Sequence, residues 1–393
     1  MSTLKVDAIR HNSATSDAIT THSDGTCTAK LTSVGGSQLS HRNIFINGAM
    51  LVAQYGTSST TNGYGSVDRF YVGNNGVDEA PTHSQADISA GTTPYTLGFR
   101  KSLKITNGNQ TSGAGAADYI FINMAQEAQN LATSGWNYKS SSSFITLSFW
   151  IKSSVAQNFF FQFDVRDGTR QNYVMETGSL TADTWTKVTK VIPGNSNLTI
   201  DNDNGVGAYI TFGVFWGTNY TASMSLETWG AANDSAKSPD NPTSWYNTND
   251  APLEFTGIQL EVGDTATTFE HLPYAEELRR CQRYFFNITG DNGSRTGIPG
   301  YANATNELRC MVQFPVPMRA LPTVSGSSTA MVFDSQDDSA SFNCSSLVAG
   351  GAPTTSNPTQ MCIEVSTSGM TNGQGGQLEF RAANGFINFS AEL

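Results

Sequence analysis

The sequence predicts an all-β protein: an extended N-terminal arm, a two-sheet β-sandwich, a short linking helix and a second, smaller β-sandwich. Three observations lead there. Ser, Thr, Asn and Gly make up 155 of the 393 residues while charged residues are only 14%, a composition of turns and hydroxyl- and amide-bearing strand faces. Runs of five to nine residues rich in β-branched and aromatic side chains recur between Gly, Asn, Asp and Ser. Helical periodicity is read in one stretch, near residue 280.

The arm comes first. Residues 1–42 hold few large apolar side chains; Leu4, Val6 and Ile9, and later Ala18 and Ile19, fit short extended strands without enough surface for a core. Such a segment is expected to be disordered in a free monomer and to order when docked on sister chains or a larger assembly.

Residues 43–272 form the main β-block. Its opening, Asn43 to Gly48 followed by Met50, Val52 and Tyr55, alternates with period two. Further strand signals are GFRKSLKITN, SSFITLSFWIKSS, NFFFQFDVRDG, TWTKVTKVIPG, AYITFGVFWG and EFTGIQLEVG. In Phe144–Ile151 the alternation places Ile145, Leu147, Phe149 and Ile151 on an inward face. Such regular strands between polar turns suggest two packed sheets.

Residues 273–287 predict the helix. Pro273 suits a first turn, Glu276 and Glu277 its positive end and Arg279 to Arg283 its negative end, with Leu278, Cys281 and Phe285 on one stripe. Residues 288–393 return to β-structure, with ELRCMVQFPV, PTVSGS, TAMVFD, MCIEVST, GQLEFRA and FINFSAEL as strands and Pro315, Pro317 and Pro322 breaking up the beginning.

Composition also bounds function. A formal charge of −11 and pI near 4.9 argue against binding a phosphate backbone, and no basic stripe appears. No apolar run reaches the ~18 residues that cross a bilayer, and the polar N-terminus lacks a signal-peptide segment. Five widely spaced cysteines, an odd number, read as free buried thiols made in a reducing cytoplasm.

Catalytic patterns are sparse. GxSxG, HExxH and a Walker loop are absent, and His11, His22, His41, His83 and His271 show no metal-ligand spacing, so neither a metal nor a cofactor is expected. Asp164 and Asp167 beside Arg166, with Glu261, could form a glycosidase-type carboxylate pair, or be turn and surface carboxylates. Asp201-Asn-Asp-Asn-Gly205 has the oxygen content of a Ca²⁺ loop without the following Glu, and reads first as a hairpin turn. The aromatics carry the better binding hypothesis, since sugar C–H faces stack on Trp and Tyr rings while neighbouring amides bond to hydroxyls. Trp136, Tyr138, Trp229, Trp245 and Tyr246 lie in polar loop contexts and are the glycan candidates.

The block from Asn43 to Phe286 resembles the carbohydrate-binding-module-like domain of bacteriophage tail fibres. The matching pieces, in order, are NIFINGAMLVAQYG, YGSVDRFYVGNNG, GFRKSLKITN, ITLSFWIKSS, TWTKVTKVIPG, ITFGVFWGTNY and FTGIQLEVGDTATTFEHLPYAEELRRCQRYF. The resemblance implies a jelly-roll sandwich in a homotrimeric virion fibre that contacts the host surface. PMRALPTV looks like the start of a C-terminal fibre domain, and STLKVDAIRHNSATSDAIT like the attachment arm of marine phage fibres. Two positions depart from the family pattern: Ala53-Gln54-Tyr55-Gly56 stands where Trp-Gln-Arg-Gly is common, and Asp68-Arg69-Phe70 where Asp-Arg-Trp is.

The resulting expectation is a non-enzymatic homotrimeric tail fibre, made in the bacterial host cytoplasm and carried on the virion. Leu4, Val6, Ile9 and Ile19 would anchor it to tail adaptor proteins, Leu278 and Phe285 would meet sister chains, and the β-domains would meet host surface polysaccharide. A capsid-decorating or tail-adaptor protein and a polysaccharide depolymerase are the alternatives.

Overall fold

The computed structural model describes residues 6–10, 12, 18–29, 41–335, 340–350 and 356–393. In the arm, β1 (Ala8–Ile9), β2 (Ile19–Thr21) and β3 (Cys27–Ala29) form an antiparallel sheet. Ile9 pairs with Ile19, and Val6 and Ile9 are exposed. Leu4 lies outside the described residues. Cys27 is exposed, contrary to the expectation of buried thiols, because it lies on the small arm sheet and in neither sandwich core; Cys281, Cys310, Cys344 and Cys362 are buried and unpaired.

The main block contains β4 (Ser58–Ser59), β5 (Tyr71–Asn75), β6 (Thr82–Asp87), β7 (Lys101–Thr106), β8 (Tyr119–Glu127), β9 (Phe144–Ser153), β10 (Phe160–Val165), β11 (Gln171–Glu176), β12 (Thr186–Pro193), β13 (Val206–Trp216), β14 (Trp229–Ala231) and β15 (Pro252–Val262). They make two six-stranded antiparallel sheets, ordered β14-β11-β10-β13-β8-β5 and β12-β9-β15-β7-β6-β4. This is the all-β jelly-roll sandwich. The inward residues of β9, Ile145, Leu147, Phe149 and Ile151, are fully buried, and Phe149 meets Phe161 and Phe212 of the facing sheet edge-on at 5.2 and 4.8 Å. Alternation on both sheets thus builds one continuous core.

The segment from Asn43 to Tyr55, read as alternating strand, is irregular instead. Asn47 and Met50 sit at φ 61° and 58°, outside any strand conformation. Its apolar side chains are buried, but its backbone follows a bulge in β15: Ile44 N donates to Leu260 O, and Ile258 N to Gly48 O, both at 2.9 Å. Burial here is continuous from Phe45 to Met50 and does not alternate, because the segment packs against an existing strand instead of forming one.

The helix spans Tyr274–Gln282, with Pro273 at its N-cap, Glu276 and Glu277 in its first turn and Arg279 and Arg280 in its last. It stops short of residue 287 because Phe285 opens the next strand. That strand begins the second β-block: β16 (Phe285–Gly290), β17 (Arg295–Ala304), β18 (Glu307–Gln313), β19 (Thr323–Gly326), β20 (Met331–Ser335), β21 (Ser341–Asn343), β22 (Ser346–Ala349), β23 (Gln360–Ser366), β24 (Gly375–Phe380) and β25 (Gly385–Ser390). A three-stranded sheet, β16-β25-β19, and a seven-stranded sheet, β21-β20-β24-β17-β18-β23-β22, enclose a second core around Phe333, Leu378, Phe380 and Phe389. Among the described residues no helix is long and apolar enough to cross a membrane.

Candidate functional site

The loop aromatics do not form a binding surface. Trp245 and Tyr246 are buried at one end of the first core, with Tyr246 stacked 4.2 Å from Phe215. The Tyr246 hydroxyl donates to Asp118 at 2.9 Å, and Trp245 Nε1 to Pro252 O at 3.3 Å. Trp136 is buried against Phe163, its Nε1 donating to Ser143 O. These three offer no open ring face to a sugar, which corrects the sequence-based assignment. Tyr138 and Trp229 are half-buried and donate to Ile200 O (3.2 Å) and Pro193 O (2.7 Å). The polar surroundings of these residues reflect loops that fold over the sandwich, and each indole or phenol tip donates to a carbonyl or carboxylate within the chain.

A better surface lies on the outer face of the sheet β14-β11-β10-β13-β8-β5. In β8, Ile120, Ile122 and Met124 enter the core, so Tyr119, Phe121 and Asn123 face outward. A bulge between Gly213 and Phe215 in β13 lets Phe215 point inward and places Trp216 on the outer side beside Tyr119, where its indole lies flat against the Gly213 backbone and is only 6% exposed, while Tyr71, Tyr119 and Phe121 are half-buried. Tyr71, Phe121 and Trp216 are nearly parallel, at 6.0 Å and 16° for the first pair and 5.6 Å and 12° for the second. Tyr220 closes one end edge-on to Tyr119 at 5.4 Å.

Glycines make this ribbon possible. Gly73 and Gly213 are the cross-strand neighbours of Phe121 on either side. A Cβ on Gly73 would sit 2.5 Å from Phe121 Cζ, and one on Gly213 would sit 2.1 Å from Trp216 Nε1. The rings therefore lie against bare backbone.

Beside the ribbon runs a polar row. Register aligns Tyr71, Asn123, Thr211 and Gln162 across four strands. Thr211 Oγ1 donates to Asn123 Oδ1 at 3.0 Å, and Asn172 Nδ2 to Gln162 Oε1 at 3.4 Å. This leaves the amide NH₂ groups of Asn123 and Gln162 with no partner among the described residues. Rings beside donor amides suit a polyhydroxylated ligand with flat C–H faces.

The acidic candidates do not converge. Asp164 lies on this outer face and accepts from Arg166 Nη1 (3.0 Å) and Arg170 Nη2 (2.8 Å). Glu261 belongs to the opposite sheet, where Thr267 and Gln259 bond its carboxylate. Asp167 accepts from Asp201 N at 2.8 Å, and burial raises its pKa. The Asp201–Gly205 segment is not the hairpin turn expected, because β12 and β13 on either side of it belong to different sheets; it is a bent connection in which Asp203 accepts from Gly205 N and Asn204 exchanges hydrogen bonds with the Arg319 backbone and guanidinium. No cluster of three metal-ligating side chains occurs among the described residues.

Several polar residues of the family-like motifs meet where the two sandwiches join. Gln54 donates to Asp68 and to Phe285 O, Asn47 N donates to Glu277, and Arg283 and the Tyr284 hydroxyl both donate to buried Glu127. Phe285 is buried and stacked 3.6 Å from Tyr55, so it is unavailable to a sister chain, a second correction. Leu278 is half-buried in a small cluster with Ile46, Val52, Cys281 and Tyr284. A cavity of about 460 Å³ lies beside the helix, lined by Arg42, Glu270, Glu276, Arg280 and Arg283 among others. Arg42, Glu270, Arg280 and Arg283 are already hydrogen-bonded within the chain.

No family profile and no curated protein matches the sequence. Among solved structures, the chain is similar to the enzymatically active domain of tailspike protein 4 of bacteriophage CBA120, at 10% identity and TM-score 0.30, over 56% of this chain and 21% of that one. It is also similar to the N-terminal cellulose-binding domain of Cellulomonas fimi β-1,4-glucanase C, at 10% identity and TM-score 0.26, over 55% of this chain and 99% of that one. A family 11 carbohydrate-binding module from Clostridium thermocellum gives 12% identity and TM-score 0.25, over 55% and 98%. At these TM-scores the likenesses assign no ligand.

Proposed function

We propose that this chain is a non-enzymatic structural protein of a phage tail fibre, assembled as a homotrimer, whose jelly-roll domain contacts host surface polysaccharide. The observation that carries the glycan part is the ribbon of Tyr71, Phe121 and Trp216 beside the amides of Asn123 and Gln162. The fibre part is supported by the resemblance of Asn43–Phe286 to tail-fibre domains. The arm adds support, because Ile9 in its small sheet and Val6 just before it stand exposed, as a segment waiting for a docking partner would. Half-buried Ile19 belongs to the same sheet.

Open stacking surfaces bind weakly one by one. Three copies per fibre, and several fibres per particle, convert millimolar contacts into firm attachment through effective concentration. No deep pocket or catalytic group is needed for that role.

The test is competition. Purified protein added to host cells before phage should reduce adsorption, and Trp216→Ala should remove that protection at a temperature where the variant is shown to be folded, since truncating an indole only 6% exposed also costs about 3–5 kcal/mol. Protection that survives both Trp216→Ala and Tyr71→Ala overturns the assignment of this face. Gold-labelled antibody against the chain should decorate tails; label confined to the capsid overturns the fibre assignment.

A further inference from the structure

The outer face of the seven-stranded sheet holds a cleft of about 370 Å³. Arg295, Gly297, Pro299, Asp334, Ser335 and Gln377 line it. Its origin is a bulge: register passes from Arg295↔Glu379 to Pro299↔Gln377, giving β17 two extra residues. Gly297 takes φ 71° within the bulge, and a Cβ placed on it would meet nothing within 4 Å, so the extra residues stand clear of the sheet. Thr296 pins them, its hydroxyl donating to Leu378 O at 2.8 Å and accepting from Ile298 N at 3.1 Å. Bulges commonly re-aim side chains in this way.

Past the bulge, register brings Asp334, Gln377 and Pro299 into one row across β20, β24 and β17. In the neighbouring row Tyr301 pairs with Gly375, so one flank of its ring has no cross-strand side chain. Tyr301 is 49% exposed. Gln377 Oε1 accepts from Arg295 Nε (3.2 Å) and Nη1 (2.8 Å). Asp334, only 5% exposed, is held by Arg381 at 3.2 Å and by the Ser341 hydroxyl, and Arg381 also reaches Glu379 at 3.4 Å. The two arginines match the two carboxylates in charge. A ring with a bare flank, a fixed guanidinium–amide pair and a rigid buried acceptor are the elements of sugar recognition, and the charge match favours a neutral ligand.

We propose that this cleft is a second saccharide site that takes a neutral hexose unit, its C–H face on Tyr301 and its hydroxyls on Arg295, Gln377 and Asp334. The site goes beyond the jelly-roll face and needs no binding there. Two sites on separate sandwiches would let one chain engage a polysaccharide at two points.

The experiment is saturation-transfer NMR on the full chain with lactose, cellobiose and maltose at millimolar concentration. Wild type, Trp216→Ala, Tyr301→Ala and the double variant are compared, with circular dichroism melts confirming that each is folded. Transfer should persist in Trp216→Ala and fall sharply in the double variant. Tyr301→Ala in the Trp216→Ala background should weaken binding about tenfold, equivalent to ~1.4 kcal/mol. Transfer in the double variant equal to that in Trp216→Ala overturns this second site and leaves the jelly-roll face intact. Loss in Tyr301→Ala alone, with Trp216→Ala unchanged from wild type, supports the cleft and removes the jelly-roll face. Absence of transfer from wild type to any of the three sugars overturns the neutral-hexose assignment.

Discussion

The guanidinium of Arg69 forms a buried ion pair with the carboxylate of Glu392, which lies beyond the last strand, and stacks 3.5 Å above the Tyr284 ring. The pair ties the jelly-roll domain to the end of the second sandwich. Arg69 also donates to Ala125 O at 2.8 Å and holds φ 75°, a left-handed conformation unusual for a side chain of this size. Tyr55 and Tyr64 reach the same end of the chain through Glu392 and Leu393 O.

Arg69→Ala should destabilise the protein by roughly 3–5 kcal/mol, because it leaves the Glu392 carboxylate buried without its partner. Calorimetry should show a lower midpoint and the two sandwiches melting as separate transitions. A single transition at the wild-type temperature would sink the idea that this pair couples them.

Asp68 makes stability depend on pH. Burial pushes its carboxyl up to about 7, Glu392 adds to the rise, and bonds from Gln54 and the charge of Arg69 oppose it. The folded state therefore keeps a proton that the unfolded chain releases near pH ~4. The resulting stabilisation is full below that value and is lost as pH climbs through 7. Asp68→Asn should flatten the fall in thermal midpoint between pH 5 and pH 8; an unchanged slope would assign it to other groups.

Gly213→Ala should displace the Trp216 indole, whose Nε1 lies 2.1 Å from the added methyl position. The structural penalty of such overpacking is about 1–3 kcal/mol. Host-cell adsorption should suffer more than the melting temperature does, and Trp216 fluorescence should shift as the ring moves. Unchanged adsorption together with shifted fluorescence would separate this ring from ligand contact.

Trp245→Ala should behave as a core truncation, costing about 3–5 kcal/mol. It is fully buried. At a temperature where the variant is folded, its protection against phage adsorption should equal wild type. Specific loss of protection at full foldedness would reinstate it as a ligand contact.

Much of the fold was legible because period-two burial leaves a direct trace in sequence. The inward face of β9 is as the alternation placed it, and the strand signals around β10, β12, β13 and β15 are occupied by strands. The candidate site was harder to read. Its signal was present in Tyr-Ile-Phe-Ile-Asn-Met, where aromatic and amide residues alternate with aliphatics, yet the same spacing could have described a wholly buried strand. Trp245 and Tyr246, by contrast, stand among Asn, Ser and Asp and point inward, because local polarity reports the loop and not the direction of the ring.

From the sequence alone one could conclude that the chain is all-β, that a helix follows Pro273 with acidic residues first and basic residues last, and that the arm has little to pack. These are properties of neighbouring residues, set by alternation, capping charge and composition. Only the tertiary structure decided which aromatics share a surface. Tyr71, Phe121 and Trp216 come from three separate strands and meet because antiparallel register and a bulge place them over Gly73 and Gly213. Likewise Arg69 and Glu392 are 323 residues apart, and their pairing depends on how two sandwiches dock.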